Sequence, residues 1–405
     1  MRGGSGNGAT NGTIRPGQQP SFGPVGGGAA IVGIGLTEQG KLPGHSNLSL
    51  QVEAFQLALA DAGLAKHDID GILTEPGTTE SYWAIDYLRF GRTVGIDPRT
   101  AGSMSMGGAT AGALVTQAAQ AVTSGLATTV ACVFGDAART GPPRPHRAVG
   151  AENEQNGVWG LYGAATWSGL SASRHMALYG TTSEQLGEVA VATRGHAALN
   201  PRALMREPIT LEDHQASRWV VEPFHLLDCC LINDGGVCLI VTTVERARDL
   251  AKPVVRIAGA GQGFTTQSLE REDWWYGPHQ KDAIDGAYAM SGYGPRDMRF
   301  AQVYDNFTIS VLMWLEHGGF CGVGEGGAFV EGGRIRLGGE LPVNTHGGHL
   351  SAGHPQGWWT IAEGVQQIRG EGGERQVPDA DVGLVTGRGL VLNTATAMVL
   401  TRDAR

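Results

Sequence analysis

Short apolar runs bounded by glycine alternate with stretches of helical periodicity along most of the chain, and this pattern predicts buried strands joined by helices. Residues 29–35 form the first apolar run. Apolar residues at helical spacing over 48–62 predict a helix that ends at Gly63, because the position after a helix favours a left-handed backbone. Residues 69–74 predict the next strand, so the chain begins as an α/β protein.

The second half of the chain repeats this order. Residues 253–261 and 298–304 predict strands, and residues 283–291 predict a helix between them. When ADAGLAKHDIDGILTE is written above AMSGYGPRDMRFAQVY, Gly63 aligns with Gly292 and the predicted elements coincide. This match in order and register predicts a duplicated fold.

A further pair of segments supports the duplication. Residues 108–125 and 353–370 have the same length, begin and end with glycine, and have the pattern of a helix. Strand-like segments follow both of them, at 128–134 and 382–386. We therefore expect two equivalent helices, one in each half.

The repeat divides the chain into two halves, residues 29–252 and 253–405. The first half includes a more polar inserted loop domain at about 140–250. Residues 1–28 are rich in glycine, serine, asparagine and proline and have too little apolar surface to offset the entropy of ordering, so we expect a flexible tail.

Composition and charge narrow the function classes. The 405 residues carry a net charge of −9, which argues against nucleic acid as a partner. The five cysteines form no CxxC pair and no zinc-ligand spacing, so we expect buried thiols, no metal site and a reducing compartment. No segment has the length of a membrane span and the first residues lack a secretion signal, so we expect a cytoplasmic protein.

Two motifs carry a resemblance to a known family. The run VNTHGGHLSAGHPQG at 343–357 contains an Asn, a Gly-Gly pair and a GHPxG box, and YDNF at 304–307 follows a predicted strand. From residue 29 to residue 405 the chain resembles the thiolase superfamily, in its sterol-carrier and lipid-transfer-protein branch. The resemblance implies the thiolase fold, with duplicated βαβαβαββ halves in a five-layer α-β-α-β-α arrangement, an inserted loop domain, and a homodimer.

His354 has a physical reason to be in a site. It precedes Pro355, and proline is favoured at the first position of a helix. We therefore expect the imidazole and unpaired backbone N–H groups at a helix N-terminus, where they stabilise the negative charge of a thioester enolate. The alternative is that His354 only caps the helix; the surrounding signature favours a role in the site.

The chain lacks the thiolase nucleophile. The resemblance places the nucleophilic cysteine at the start of the first-half helix, and Gly108 occupies that position. Ser105 and Thr110 offer hydroxyls, but we expect them to be small residues of a buried helix. None of the cysteines is expected beside the pocket histidine, with Cys321 the least implausible substitute: the five are Cys132, Cys229, Cys230, Cys238 and Cys321. We therefore do not expect a covalent acyl-enzyme.

Tyr304 stands where ordinary thiolases have Asn and the sterol-carrier branch has His. On its own, a Tyr here is often a core aromatic. With the cysteine missing, the chain is similar to the retro-aldolases of steroid side-chain degradation, which cleave a β-hydroxyacyl-CoA into a ketone or aldehyde and a shorter acyl-CoA. One difference is that those enzymes typically have a second Tyr where this chain keeps His354.

The resemblance and the chemistry together assign roles. Retro-aldol cleavage needs a base at the β-hydroxyl and an oxyanion site, but no nucleophile. We assign Tyr304 to the β-hydroxyl and His354 to the enolate oxygen or its proton. Asp305 and Asn344 would orient their neighbours, and His346 is a weaker candidate for proton transfer. A Tyr needs a lowered pKa to act as a base near neutral pH.

We expect Gly108, Gly348 and Trp358 to contact the substrate, with Trp358 either lining the acyl pocket or filling the core. The CoA thioester is the substrate, and no cofactor is expected in this chain. The retro-aldolases work with a small OB-fold protein that carries a zinc ribbon in related cases, which implies a hetero-complex. Two other functions remain open: a Cys-less thiolase-like acyltransferase or Claisen-type enzyme, and a non-catalytic acyl-CoA-binding subunit.

Overall fold

The structure is a computed structural model that describes residues 26–79, 85–141, 158, 160–161, 163–266, 271–389 and 393–403. Of the predicted tail, residues 1–25 lie outside this part of the chain. Within the described ranges, no helix combines the length and the apolar character that a membrane span requires.

The described elements comprise strands and helices that alternate over most of the chain. The strands are β1 (Ala29–Leu36), β2 (Gly71–Glu75), β3 (Thr100–Ser103), β4 (Thr129–Ala137), β5 (Trp219–Val221), β6 (Phe224–His225), β7 (Asp234–Thr243), β8 (Val255–Phe264), β9 (Phe300–Gln302), β10 (Val382–Gly389) and β11 (Thr394–Arg402). The helices are α1 (Asn47–Ala62), α2 (Asp86–Val94), α3 (Thr110–Thr123), α4 (Gly163–Tyr179), α5 (Ser183–Ala198), α6 (Leu211–Ala216), α7 (Val244–Arg248), α8 (His279–Ser291), α9 (Thr308–His317), α10 (Gly326–Val330) and α11 (Trp358–Arg369).

Helices α1 and α8 confirm the helices predicted over 48–62 and 283–291. Helix α1 ends at Gly63 with φ 68°, and helix α8 ends at Gly292 with φ 74°, both in the left-handed region that favours glycine. Ser46 begins α1, where its side chain accepts a hydrogen bond from the backbone N–H of Ser49. The strand predicted over 298–304 is shorter in the structure. It is β9, Phe300–Gln302, because only these three residues pair with β10.

The strands of the two halves form one sheet in the order β3-β2-β4-β7-β1-β8-β11-β10-β9. Strands β1 and β8 join the first-half strands to the second-half strands through only two residue pairs, Ala30 with Arg256 and Ile31 with Val255. The predicted boundary after residue 252 falls between α7 and β8. The hairpin β5-β6 stands apart from this sheet.

Three apolar clusters define the layers. Leu114 of α3 and Ile361 of α11 share the central cluster, which is covered by the strands of both halves. Helix α1 packs on the outer face of the first-half strands through Phe55. Helix α8 packs on the outer face of the second-half strands through Ile284, and α9 joins the same cluster through Leu312. The resulting α-β-α-β-α order confirms the predicted thiolase fold.

The start of helix α11 differs from the prediction. Pro355 does not occupy the first helical position, because α11 begins at Trp358. Gln356 and Gly357 have φ values of 49° and 86°, a left-handed backbone that cannot belong to the helix. His354 therefore lies in the bend before α11, after a π-helical turn over Gly348–Ala352.

Candidate active site

Tyr304 and His354 meet at the centre of the site. Tyr304 follows β9, and its side chain is buried with 4% of its surface exposed. Its hydroxyl lies 2.8 Å from Nε2 of the half-buried His354. The backbone N–H of His354 donates to Oδ1 of Asn233 at 2.6 Å, which fixes the bend that carries the imidazole. The two side chains share a hydrogen bond, so a proton can pass between them.

A second histidine, His349, supports this pair. Its Nδ1 lies 2.7 Å from Oδ1 of Asp305, which also accepts the backbone N–H of His349 at 2.8 Å. Its Nε2 accepts a hydrogen bond from the backbone N–H of Gly357 at 3.2 Å, so the ring proton is on Nδ1. The Nδ1–H group therefore donates a hydrogen bond to the carboxylate of Asp305. The imidazole of His349 contacts both rings of the pair, with centroid distances of 4.6 Å to Tyr304 and 4.8 Å to His354. Asp305 thus orients the side chain against which the pair rests.

Gly108 leaves the space that the Tyr304 ring fills. A Cβ atom at Gly108 would overlap Cε2, Cζ and the hydroxyl of Tyr304. A Cβ at Gly357 would lie 2.6 Å from the carbonyl oxygen of Gly108, so the starts of α3 and α11 touch each other below the tyrosine. A side chain at position 108, cysteine included, is incompatible with this placement of Tyr304.

Two hydrogen bonds fix the backbone around Tyr304. Asn344 is buried in the left-handed region with φ 52°, and its Oδ1 accepts the N–H of Val303 at 2.7 Å. The N–H of Tyr304 donates to Oγ1 of Thr386 on β10 at 3.2 Å. Both bonds hold the segment that leaves β9, and so they determine where the phenol points.

Cys230 overturns the expectation that no cysteine lies beside the histidine. Its Sγ is 3.9 Å from Nδ1 of His354, and its backbone N–H donates to the carbonyl of Asn306 at 3.0 Å. An isolated bridge between Cys229 and Phe307 holds the loop before β7 against the segment that follows Tyr304. Cys230 lies in that loop and not at the start of a helix, which is where the resemblance places a thiolase nucleophile.

Burial determines the resting protonation of the phenol. Burial, the largest cause, raises the pKa of Tyr304 above its ordinary value, and the nearby Cys230 raises it further. The positive charge of Arg388 acts in the opposite direction on the same pKa. Tyr304 is therefore a neutral phenol at rest, and it can accept a substrate proton only while its own proton leaves to His354.

The remaining predicted residues lie around this centre in different ways. His346 is fully buried against Trp359, and neither of its ring nitrogens has a hydrogen-bond partner within the described chain. Burial lowers the pKa of His346 to about 3, so it is neutral. Trp358 is also fully buried, stacks on Phe134 and donates from Nε1 to Glu75. This burial gives no support to Trp358 as a lining of the acyl pocket.

Gly348 lies directly above Asp305. Its φ is 61°, and a Cβ atom there would overlap Oδ2 of Asp305. The glycine therefore makes room for the carboxylate that orients His349. Its predicted contact with substrate remains a prediction.

His349, Asn233 and Cys230 are the residues of the site that sequence reasoning missed. His349 had a usable signal, since HGGHLSAGH contains three histidines and each of them is a candidate to lie beside Tyr304. Cys230 and Asn233 had no such signal, because both reach His354 only through the return of the loop between β6 and β7.

Comparisons with known proteins place the chain among enzymes of CoA thioesters. Residues 261–402 match the family model described as thiolase C-terminal domain-like. The chain is 42% identical over 360 residues to a steroid side-chain-cleaving aldolase of Thermomonospora curvata, which covers 85% of this chain and 91% of that protein. It is 41% identical over 358 residues to the 17-hydroxy-3-oxo-4-pregnene-20-carboxyl-CoA lyase of Mycobacterium tuberculosis, with 84% and 92% covered.

A solved structure agrees over nearly the whole fold. The chain is similar to the Ltp2-ChsH2(DUF35) aldolase with a TM-score of 0.87 and 40% sequence identity. The match covers 94% of this chain and 99% of that chain.

Proposed function

The chain belongs to the thiolase superfamily, in the branch of steroid side-chain-cleaving aldolases, and on this basis we propose that it cleaves a β-hydroxyacyl-CoA by a retro-aldol reaction. The products are a ketone or aldehyde and a shorter acyl-CoA. The observation that supports this function best is the Tyr304 hydroxyl, 2.8 Å from Nε2 of His354, in the space above Gly108.

The first step in the proposed mechanism is a proton transfer. The β-hydroxyl of the substrate gives its proton to the oxygen of Tyr304 while the phenol gives its own proton to Nε2 of His354. The O–H electrons form the new carbonyl, the Cα–Cβ bond breaks, and its electrons enter the thioester enolate. Nε2 of His354, 2.8 Å from the hydroxyl, is the acceptor that a buried, un-ionised phenol requires.

The second step returns the proton. The enolate of the shorter acyl-CoA takes a proton at Cα from the imidazolium of His354, directly or through Tyr304, and the site regains its starting state. Asp305 contributes by fixing the tautomer of His349, which contacts both members of the pair. No step uses a covalent acyl-enzyme, and no proton is consumed overall.

The names of the relatives support a steroid substrate. The lyase of Mycobacterium tuberculosis acts on a 17-hydroxy-3-oxo-4-pregnene-20-carboxyl-CoA, by its name, and this thioester carries a hydroxyl on the carbon β to the thioester carbonyl. We therefore propose a steroid CoA thioester with a short side chain and a tertiary β-hydroxyl. Cleavage of such a substrate gives a ring ketone.

We also propose that the chain forms a homodimer and binds a small OB-fold partner with a zinc ribbon. The name of the Ltp2-ChsH2(DUF35) aldolase joins two components, which supports a hetero-complex. Co-expression with a candidate partner and mass measurement of the purified complex test both proposals. We also propose a cytoplasmic location, because none of the five cysteines forms a disulfide and free thiols are typical of a reducing compartment.

A thiolase-like acyl transfer is the second candidate, and the contact between Cys230 and His354 favours it. The two functions differ in their need for free CoA, because thiolysis consumes CoA and retro-aldol cleavage does not. The lack of a helix start at Cys230 and the relatives named as lyase and aldolase favour the retro-aldol function.

The test uses the purified protein, alone and with its co-expressed partner, without added CoA. A steroid CoA thioester with a tertiary β-hydroxyl should yield a ketone and a shorter acyl-CoA in equal amounts by mass spectrometry. The matched control is the same thioester without the β-hydroxyl, which should remain intact. Cleavage of a 3-oxoacyl-CoA that requires free CoA, with no ketone from the hydroxyl substrate, would contradict the proposal.

A further inference from the structure

Arg388 is a buried cation beside the site that the proposed mechanism leaves without a role. It lies on β10 with 2% of its surface exposed. Its Nη2 donates to Oδ1 of Asn306 at 2.9 Å and to Oγ of Ser310 at 2.7 Å, and its Nε has no hydrogen-bond partner among the residues that the structure describes. Burial lowers the pKa of Arg388 to about 10, so the guanidinium is still charged at neutral pH.

Other buried arginines of the described chain show how unusual this arrangement is. Arg369 pairs with Asp61 at 2.8 Å, and Arg375 pairs with Glu363 at 3.1 Å. No carboxylate within the described residues forms an ion pair with Arg388, and both of its partners are neutral. Arg194 also lacks a carboxylate, but it donates to the backbone carbonyl of Glu207 and is 7% exposed.

The surroundings make the charge of Arg388 more costly. Ser310 belongs to the first turn of helix α9, where the backbone N–H groups carry partial positive charge. A guanidinium is unfavourable at that end of a helix, and a buried charge without a counter-ion is unfavourable anywhere in a protein. Arg388 is therefore placed at a cost to folding, which indicates a use for its charge.

The geometry connects that charge to Tyr304. Thr386 and Arg388 are two residues apart on β10, so their side chains lie on the same face of the strand. Thr386 accepts the backbone N–H of Tyr304, and Asn306, the partner of Arg388, is two residues beyond Tyr304 in the chain. The carbonyl of Asn306 also accepts the N–H of Cys230, whose Sγ contacts His354.

We propose that Arg388 is a positioning residue whose fixed positive charge favours the deprotonated state of the Tyr304–His354 pair, the state that accepts the substrate proton. The inference rests on the proposed function. Its physical basis is that a nearby cation disfavours an imidazolium and stabilises negative charge on the phenol oxygen, with little screening in a buried site. Beside burial, which raises the pKa of Tyr304 most, the positive charge of Arg388 lowers this pKa, while Cys230, Glu75 and Asp305 raise it. Burial and the same charge lower the pKa values of His279 on helix α8 and His317 on helix α9.

The test compares Arg388→Gln with Arg388→Lys in the retro-aldol assay over pH 5 to 9. Arg388→Gln removes the charge, so the acid limb of kcat should move to higher pH by about one unit, which lowers kcat by about tenfold on the limb itself and leaves kcat on the plateau above it almost unchanged. The KM should change by less than about twofold, since Arg388 does not reach solvent. Arg388→Lys retains a charge and should restore both the limb and most of kcat.

Two control variants separate charge from folding. Ser310→Ala removes a hydrogen bond of Arg388 and keeps its charge, so the acid limb should stay in place. Arg375→Gln leaves Glu363 buried without its cation, so the melting temperature should fall while the acid limb of the surviving activity stays in place.

Each outcome decides the inference. Wild-type activity with the same acid limb in Arg388→Gln would overturn it, and so would a limb in Arg388→Lys that moves as far as in the glutamine variant. If Arg388→Gln does not fold, the lysine and Ser310 variants still decide, because a displaced limb in either contradicts the role of charge. A wild-type protein without retro-aldol activity would instead remove the proposed function on which the inference rests.

Discussion

The starts of helices α3 and α11 touch below Tyr304, yet they contribute to the site in opposite ways. The start of α3 offers Gly108 and no side chain, while the segment before α11 carries His349 and His354. The two segments are equivalent in the predicted duplication. One half therefore carries the side chains that we propose to react, and the other half leaves the space that Tyr304 occupies.

This division has a physical cause. The ring of Tyr304 and a side chain at position 108 cannot coexist, because the atoms would overlap. A chain that places a phenol beside His354 must therefore keep glycine at the start of α3. The absence of a nucleophile at position 108 and the presence of tyrosine at position 304 are therefore consequences of the same packing constraint.

The largest effect is expected from Tyr304→Phe, which keeps the ring and removes the hydroxyl. Without the oxygen, no group passes the substrate proton to His354, so kcat should fall about 10³-fold or more. The readout is ketone formation from the β-hydroxyacyl-CoA. Tyr288→Phe is the matched control, since that hydroxyl donates to the carbonyl of Gly318 outside the site, and kcat should stay within about twofold.

A smaller effect is expected from Gly108→Ala, which tests the space instead of the chemistry. The added Cβ must displace the Tyr304 ring, so kcat should fall about 100-fold and the free energy of unfolding by about 1–3 kcal/mol. Gly195→Ala is the control, because a Cβ there meets no atom within 4 Å and helix α5 gains a better helix former. Normal activity in Gly108→Ala would mean that the ring of Tyr304 is not held above the start of α3.

Helix ends, motif residues and the contact between Gly108 and Tyr304 differ in how far the sequence can predict them. Gly63 and Gly292 mark helix ends through a backbone preference that belongs to single residues, and the helices were predicted close to their observed bounds. Tyr304 and His354 were proposed for the site from motifs, which encode local arrangement. The close packing of the Tyr304 ring on Gly108 depends on how the two halves pack against each other, and no local sequence pattern contains that information.

The errors have equally specific causes. The bend before α11 was predicted as helix because Pro355 suits a first turn, but the left-handed Gln356 and Gly357 place the helix start at Trp358. Cys230 was assigned away from the site, since its approach to His354 needs the loop before β7 to fold back on the segment after Tyr304. Both features depend on tertiary contacts.

A small effect is expected from Cys230→Ala, although its thiol is 3.9 Å from His354. A nucleophile would be indispensable, whereas a contact with the imidazole only adjusts its orientation, so kcat for retro-aldol cleavage should fall by less than about threefold. The measurement is ketone formation without CoA, alongside thiolysis of a 3-oxoacyl-CoA with CoA. Cys321→Ala is the control at another partly buried thiol. Loss of all turnover in Cys230→Ala alone would favour acyl transfer.

The smallest effect on activity, and a measurable one on stability, is expected at His346, which shares its loop with His349 but contacts neither Tyr304 nor His354 by a hydrogen bond. Burial lowers its pKa to about 3, against about 6.5 in the unfolded chain. Between these values the unfolded state binds more protons, so stability is lost as the pH falls below 6.5, by about 1.4 kcal/mol per pH unit for this group.

Replacement of this imidazole by an apolar side chain of similar size should remove that dependence. His346→Met keeps the contact with Trp359 and has no titrating group, so its free energy of unfolding should fall less steeply than that of the wild type between pH 6.5 and 5. Urea denaturation at several pH values measures the slope. The difference should approach one proton per molecule, because the wild type must protonate His346 on unfolding. An unchanged slope would mean that His346 is charged in the folded protein, and a charged imidazole in the loop before α11 would then have to be added to the electrostatics of the Tyr304–His354 pair.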